Sequence, residues 1–195
     1  MNRVLPLLAS LVMGLATPVF AQDIPSQGQH NVFGMGGIFT DGHFGETFQF
    51  WRDHYESNFF GGVGYQYFLY DQSSLLNLGF EAGLGVRAGD SLSAEAWGGG
   101  VLKANIPLGD FRVSPALTLG YSLVTDTIGV ESVRAANIDQ AVPVLFYLGP
   151  EIAVSNVNHP EWEAFARVHH RSGGYGTIGH IDGSNALNLG LRYKF

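Results

Sequence analysis

The chain has 195 residues, of which 46% are hydrophobic and 14% charged, with 17 acidic against 10 basic side chains and no cysteine. A formal net charge of -7 without any cluster of Lys or Arg excludes nucleic acid as a partner, because phosphate binding needs concentrated positive charge. The lack of Cys excludes disulfides, thiolate metal sites and thiol nucleophiles.

The first 21 residues have the pattern of a secretory signal. Arg3 precedes an apolar stretch over residues 4–20, and fairly small residues at Val19 and Ala21 suit cleavage after Ala21. A membrane anchor is the less favoured alternative, since the stretch is short and interrupted for a spanning helix. We therefore predict a signal peptide at residues 1–21 and one domain at residues 22–195.

After residue 22 the dominant pattern is alternation of apolar and polar residues, which is typical of strands with one apolar and one polar face. No run there approaches the roughly 18 apolar residues that a membrane helix needs. Alternation marks eight predicted strands, at residues 32–39, 59–69, 76–86, 92–104, 111–123, 142–154, 162–168 and 187–195. Pro143 and Pro150 fall inside the sixth, where we expect a bulge or a shorter strand because proline donates no ladder hydrogen bond.

The connections between the predicted strands alternate in length. Short turns follow the second, fourth and sixth strands, and longer links cover residues 41–57, 125–139 and 173–183, with a brief link at residues 88–91. Transmembrane barrels have short periplasmic turns and longer outer loops, and an even number of strands returns both termini to the periplasmic side.

The polar faces favour a barrel over a soluble sandwich, in which the same charges would face water. Charges of both signs occupy the positions between the apolar ones: Glu81, Glu95, Lys103, Arg112, Glu151, Glu163, Arg167, Arg192 and Lys194. Side chains fill the interior of an eight-stranded barrel, and mixed charges can pair there. Aromatic residues near the predicted periplasmic rim suit an interfacial girdle: Trp162, Tyr193, Phe195, Tyr65, Tyr67 and Phe111. We predict an all-β, eight-stranded antiparallel transmembrane β-barrel of the bacterial outer membrane.

A barrel filled in this way is a poor channel, so we expect the function on the outer wall or in the long loops. In the seventh strand, every second residue up to Val168 is apolar and faces outward, and continuing this alternation places His170 and Ser172 on the outer face. In the eighth strand, continuing the same alternation back from Leu187 places Asn185 on the outer face. A His two residues from a Ser on one strand shares its face and can act as its general base. The alternative is that these are ordinary interfacial polar residues.

These residues resemble a known enzyme family. The segment His170-Arg-Ser172, the loop after it and the last strand, ending Leu191-Arg-Tyr-Lys-Phe195, are similar to the end of the PagL-type lipid A deacylases, which are eight-strand outer-membrane barrels. The resemblance implies a serine hydrolase that removes the ester-linked acyl chain at the 3-position of lipid A. It implies Ser172 as the nucleophile and His170 as the general base, with Asn185 at the position of the orienting Glu.

Two positions depart from the family pattern. The Asn that follows the Ser in the family, a contributor to the oxyanion hole, is Gly173 here, whose backbone N–H can still donate. Asn185 replaces a Glu, and its carbonyl oxygen can orient an imidazole but cannot offset the charge that forms on it. Asp182, in the adjoining loop, is a candidate for the missing carboxylate.

We expect no cofactor and no metal, because the histidines show no compact metal-ligand spacing. The expected partners are lipid A of lipopolysaccharide and membrane lipid, and a homodimer stays open. Residues 173–176 are interpreted as a flexible loop, because no strand-to-helix context for a phosphate cradle follows. The predicted function is a lipid A esterase, and the alternative is a non-enzymatic barrel of structural or adhesive role.

Overall fold

The computed structural model of the protein describes residues 27–52, 54–139 and 142–195, and the predicted signal peptide lies outside them. The described residues form nine strands and one helix: β1 (His30–Thr40), β2 (Tyr55–Phe68), β3 (Leu76–Ala88), β4 (Leu92–Ala104), β5 (Ile106–Leu108), β6 (Phe111–Val124), α1 (Val130–Asn137), β7 (Val144–Asn156), β8 (His159–Ser172) and β9 (Ser184–Lys194). Among these residues, no helix has the length and apolar character to cross a bilayer.

Eight of the strands form a closed antiparallel barrel. Each barrel strand pairs with the next along the chain, β4 pairs with β6, and β9 pairs with β1 to close the ring. The remaining strand, β5, has three residues and extends the turn after β4 along the start of β6. The predicted eight-stranded barrel is therefore confirmed, and β5 is an extension that the alternation did not reveal.

The two prolines of the sixth predicted strand are accommodated in different ways. Pro143 precedes β7, so the strand is shorter there, as expected. Pro150 lies inside β7 in unbroken register with β6, opposite Leu117. On the other side, the ladder to β8 omits Gly149 and Pro150 and resumes in the same register. A local gap in pairing, rather than a bulge, thus accommodates the missing N–H of Pro150.

Paired charges fill the barrel interior. All nine charged side chains predicted on the polar face are buried. Nitrogen atoms of Arg167 lie 2.7 Å from carboxylate oxygens of Glu81 and of Glu151, and Arg192 contacts both Glu151 and Glu163. These interlocking pairs share carboxylates between strands, so each charge in this network has at least one partner of opposite sign. The predicted polar interior is confirmed.

Helix α1 lies in the link that the sequence predicted as a loop at residues 125–139. Its Glu131 is fully buried, with Oε2 2.5 Å from Nη2 of Arg87 and Oε1 3.4 Å from Nε of Arg171. Arg87 and Arg171 have the interior parity of β3 and β8. The helix is therefore fastened into the barrel at the end that carries the long loops, which we call the outer end.

Candidate active site on the outer wall

His170 and Ser172 share the outward face of β8, near its outer end. The residues between and before them, Arg171 and His169, point into the barrel, where both are buried and His169 Nε2 lies 2.7 Å from a Glu95 oxygen. Since successive side chains of a strand point to opposite faces, His170 and Ser172 point outward. The structure thus places both residues on the face that the strand parity predicted.

Asn185 of β9 lies directly opposite His170 in the antiparallel ladder. His170 Nδ1 is 2.6 Å from Asn185 Oδ1, and Asn185 Nδ2 donates to the backbone carbonyl of Gly42 at 3.0 Å. Only the NH2 group of the amide can donate to a carbonyl, so the Gly42 contact turns Oδ1 toward His170. The oxygen accepts a hydrogen bond, so Nδ1 carries the proton and Nε2 stays free to accept one.

The first outer loop, described over residues 41–52, folds over this pair. The ring of Phe44 lies 4.4 Å from the ring of His170, centroid to centroid. Thr47 from the same loop lies 3.2 Å from Thr40, hydroxyl to hydroxyl, at the end of β1. His170 is 6% exposed and Asn185 is fully buried, although both point away from the barrel interior. The loop therefore excludes solvent from the His–Asn hydrogen bond, which strengthens it.

Two further residues named from the sequence are engaged elsewhere. The backbone N–H of Gly173 donates to the carbonyl of Ile181 at 2.8 Å. The expectation that this N–H is a free oxyanion donor is therefore wrong for this structure, because the N–H bonds within the loop at residues 173–183. Asp182 Oδ2 lies 2.5 Å from Nδ1 of His43, so this carboxylate contacts the first outer loop, while His170 Nδ1 contacts Asn185.

A cavity of about 1080 Å³ opens on the outer wall beside these residues. His170 and Ser172 line it together with the loop pair His43 and Asp182. Apolar side chains of β6 and β7 complete one wall: Leu119, Tyr121, Phe146 and Leu148. An apolar cavity with a few convergent polar groups is the usual form of a small-molecule site, and this one is at the upper end of the usual volumes.

Residues 174–176 line the same cavity in a left-handed backbone conformation. Their φ angles are 60° at Gly174, 55° at Tyr175 and 92° at Gly176. Such angles are easy for glycine but cost roughly 1–2 kcal/mol for a residue with a side chain, as at Tyr175. The Gly-Gly-Tyr-Gly segment is thus a defined turn at the cavity. Its sequence signal is the glycine content, which by itself indicates only a loop.

No family model matches the sequence, and no curated protein matches it. Solved structures are similar in fold. The outer membrane enzyme PagL matches with a TM-score of 0.61 at 13% identity, over 85% of this chain and 99% of that one. Neisserial surface protein A matches with a TM-score of 0.52 at 11% identity, over 85% and 96%. De novo designed transmembrane β-barrels match with a TM-score of 0.51 at 14% identity, over 86% and 96%. The fold of this chain is therefore that of a small outer-membrane β-barrel.

Proposed function

We propose that the protein is an outer-membrane serine esterase that hydrolyses an ester-linked acyl chain of lipid A, without a cofactor. The single observation that carries the proposal is the state of His170. Its Nδ1 lies 2.6 Å from Asn185 Oδ1, its Nε2 has no hydrogen-bond partner within the described part of the chain, and it lines an outward cavity together with Ser172. The bond expected to be cleaved, at the 3-position of lipid A, follows from the family resemblance of the sequence.

The reaction follows from the roles of these groups. Ser172 Oγ attacks the acyl carbonyl carbon as its proton passes to His170 Nε2, and a tetrahedral oxyanion forms. Its collapse breaks the ester bond, and the lipid A hydroxyl leaves with the proton from His170. Water then attacks the acyl-serine with His170 again as base, which releases the fatty acid and restores Ser172. A site on the outer wall gives the acyl chain access from within the lipid layer.

The oxyanion needs a hydrogen-bond donor that Gly173 does not supply. Within the described residues, the backbone N–H groups of Gly174, Tyr175 and Gly176 form no hydrogen bond, and all three residues line the cavity. We assign the oxyanion contact to this turn. Loss of one such donor typically lowers kcat by about 100- to 1000-fold, so the turn is a substantial part of the proposed site.

A non-enzymatic barrel of structural or adhesive role is the second candidate, and exposed aromatic residues on the outer loops favour it. Trp51 in the first outer loop and Tyr175 in the loop between β8 and β9 are among the most exposed large side chains of the described residues. Exposed aromatic groups are typical of contact surfaces. In that case the loops carry the function, and the outward-pointing His–Asn pair has no chemical role.

Mass spectrometry of lipid A separates the two candidates. Cells that express the wild-type protein should contain a lipid A species lacking one acyl chain, and cells that express Ser172→Ala should not. Ser91→Ala, at an exposed position of a different outer turn, is the matched control and should behave as the wild type. Folded protein in the membrane fraction is quantified for all three. Identical spectra from the wild type and Ser172→Ala, with no shortened species, would overturn the esterase proposal.

A further inference from the structure

One side chain of helix α1 joins three separate parts of the outer end. The guanidinium of Arg134 donates to the carbonyls of Gly183 and Asp41 at 2.9 Å each, and to that of Gly42 at 3.2 Å. Gly183 directly precedes β9, and the other two begin the first outer loop. Five N–H groups in a rigid fork make arginine suited to such multiple contacts.

The carbonyl of Gly42 is shared between this arginine and the candidate site. It accepts from Arg134 Nη2 and also from Asn185 Nδ2 at 3.0 Å, which its two lone pairs allow. Asn185 Oδ1 is in turn 2.6 Å from His170 Nδ1. A continuous series of hydrogen bonds therefore runs from helix α1 through a loop carbonyl and a buried amide to the imidazole.

This series determines which nitrogen of His170 carries the proton. If the Gly42 carbonyl moves away, the Asn185 amide can turn over and present Nδ2 to His170. Nδ1 must then accept, so the proton moves to Nε2, and the imidazole no longer takes a proton from Ser172. A carboxylate has no such dependence, because both of its oxygens accept. An asparagine in this position needs an external support for its orientation, and Gly42 provides it.

The helix that carries Arg134 is itself fastened to both strands of the site. Glu131, three residues earlier, contacts Arg87 and Arg171, and Arg171 lies between His170 and Ser172 on β8. Arg87 also donates to Ser184 Oγ, at the start of β9, at 2.9 Å. The helix therefore holds Arg134 in a fixed position relative to β8 and β9.

We propose that Arg134 is a positioning residue: through Gly42 it holds the Asn185 amide in the orientation that selects the Nδ1–H tautomer of His170. The catalytic consequence rests on the proposed esterase function, whereas the tautomer itself does not. The two are therefore tested by different measurements on the same variants.

The tautomer is measured by NMR of the full barrel in detergent micelles with 15N-labelled histidine, the His170 signals being assigned by their loss in His170→Gln. Wild-type protein and Val133→Ala, an exposed position of the same helix, should show a protonated Nδ1 and a free Nε2. Arg134→Ala should shift about nine-tenths of the population to the Nε2–H form, and Arg134→Lys should restore part of the wild-type signal. An unchanged tautomer in folded Arg134→Ala, or an equal shift in Val133→Ala, would overturn the proposal.

Kinetics with lipid A in mixed micelles then separate this inference from the proposed function. We expect Arg134→Ala to lower kcat about tenfold, as for the loss of one charge-assisted hydrogen bond, with KM little changed. If the wild type releases no fatty acid while the tautomer still depends on Arg134, the positioning role stands and the esterase function fails. If the wild type is active and Arg134→Ala raises KM alone, the positioning role fails and the esterase function stands.

Discussion

Replacement of Asn185 by Asp tests whether charge behind His170 limits the reaction. The change exchanges an amide for a carboxylate of the same size, at a fully buried position 2.6 Å from His170 Nδ1. A carboxylate there offsets the positive charge that forms on the imidazole in the transition state. We therefore expect Asn185→Asp to raise the rate of ester hydrolysis.

The size of the gain follows from what the asparagine already supplies. An Asp to Asn change in a serine triad costs about 10,000-fold, but part of that loss comes from the wrong imidazole tautomer. Here Gly42 already holds the amide in the orientation that gives the right tautomer, so only the charge part can be recovered. We expect a rise in kcat of about 10- to 100-fold.

The same substitution has a cost in stability. The second oxygen of an aspartate would face the Gly42 carbonyl across the 3.0 Å that Nδ2 now spans as a donor. Loss of that buried hydrogen bond should lower the free energy of unfolding by about 1–3 kcal/mol. Asn185→Glu adds a methylene to the same packed position, which costs about a further 1–3 kcal/mol, so its gain in rate should be smaller.

The assay is the initial rate of fatty acid release from purified lipid A by each folded variant in detergent micelles. Asn158→Asp, an exposed asparagine in a turn at the opposite end of the barrel, adds the same charge and should leave the rate unchanged. A folded Asn185→Asp protein with an unchanged or lower kcat would refute the reasoning, since the imidazolium charge would then not limit the rate.

Two other substitutions test the loop and the interior. Gly173→Asn introduces the residue that the resembling family has at this position. A Cβ at residue 173 would lie 1.7 Å from the carbonyl oxygen of Gly179, so we expect lower rather than higher fatty acid release. A higher release would contradict the loop geometry. Arg167→Met leaves the buried carboxylate of Glu151 with one cation fewer, and should lower the free energy of unfolding in urea by about 3–5 kcal/mol. Arg52→Met, at an exposed loop position, is the control and should change the free energy of unfolding by less than about 0.5 kcal/mol.

The strands and the faces of their side chains could be predicted because the information is local. A period of two assigns each residue of β8 to one face from its neighbours alone, so the inward Arg167 and His169 fix the outward His170 and Ser172. The pairing of β8 with β9 follows from chain order in a closed barrel, and it brings Asn185 beside His170. Strand parity and chain order are therefore sufficient to predict the outward placement of these three residues.

The hydrogen bonds that orient Asn185 could not be predicted, because they join distant parts of the chain. Gly42 and Asn185 are 143 positions apart, and Arg134 and Gly42 are 92 apart. The sequence of residues 130–137 does not by itself indicate that helix α1 packs on the barrel. That packing depends on the contact of Glu131 with Arg87, which lies on a distant strand. The partner of the Gly173 N–H, the Ile181 carbonyl, is nearer in the chain, but it depends on a loop conformation that the glycine content does not specify.

An amide behind the histidine changes what the rest of the site must provide. A carboxylate supplies both charge and orientation, and either of its oxygens accepts from the imidazole, so the group needs little support. An amide supplies orientation only, and only while a neighbouring acceptor fixes the position of its NH2 group. In this chain that acceptor is the Gly42 carbonyl, which Arg134 holds from a helix anchored by Glu131. Helix α1 and Asn185 are therefore linked parts of one structural solution, because the helix supports the carbonyl that orients the amide.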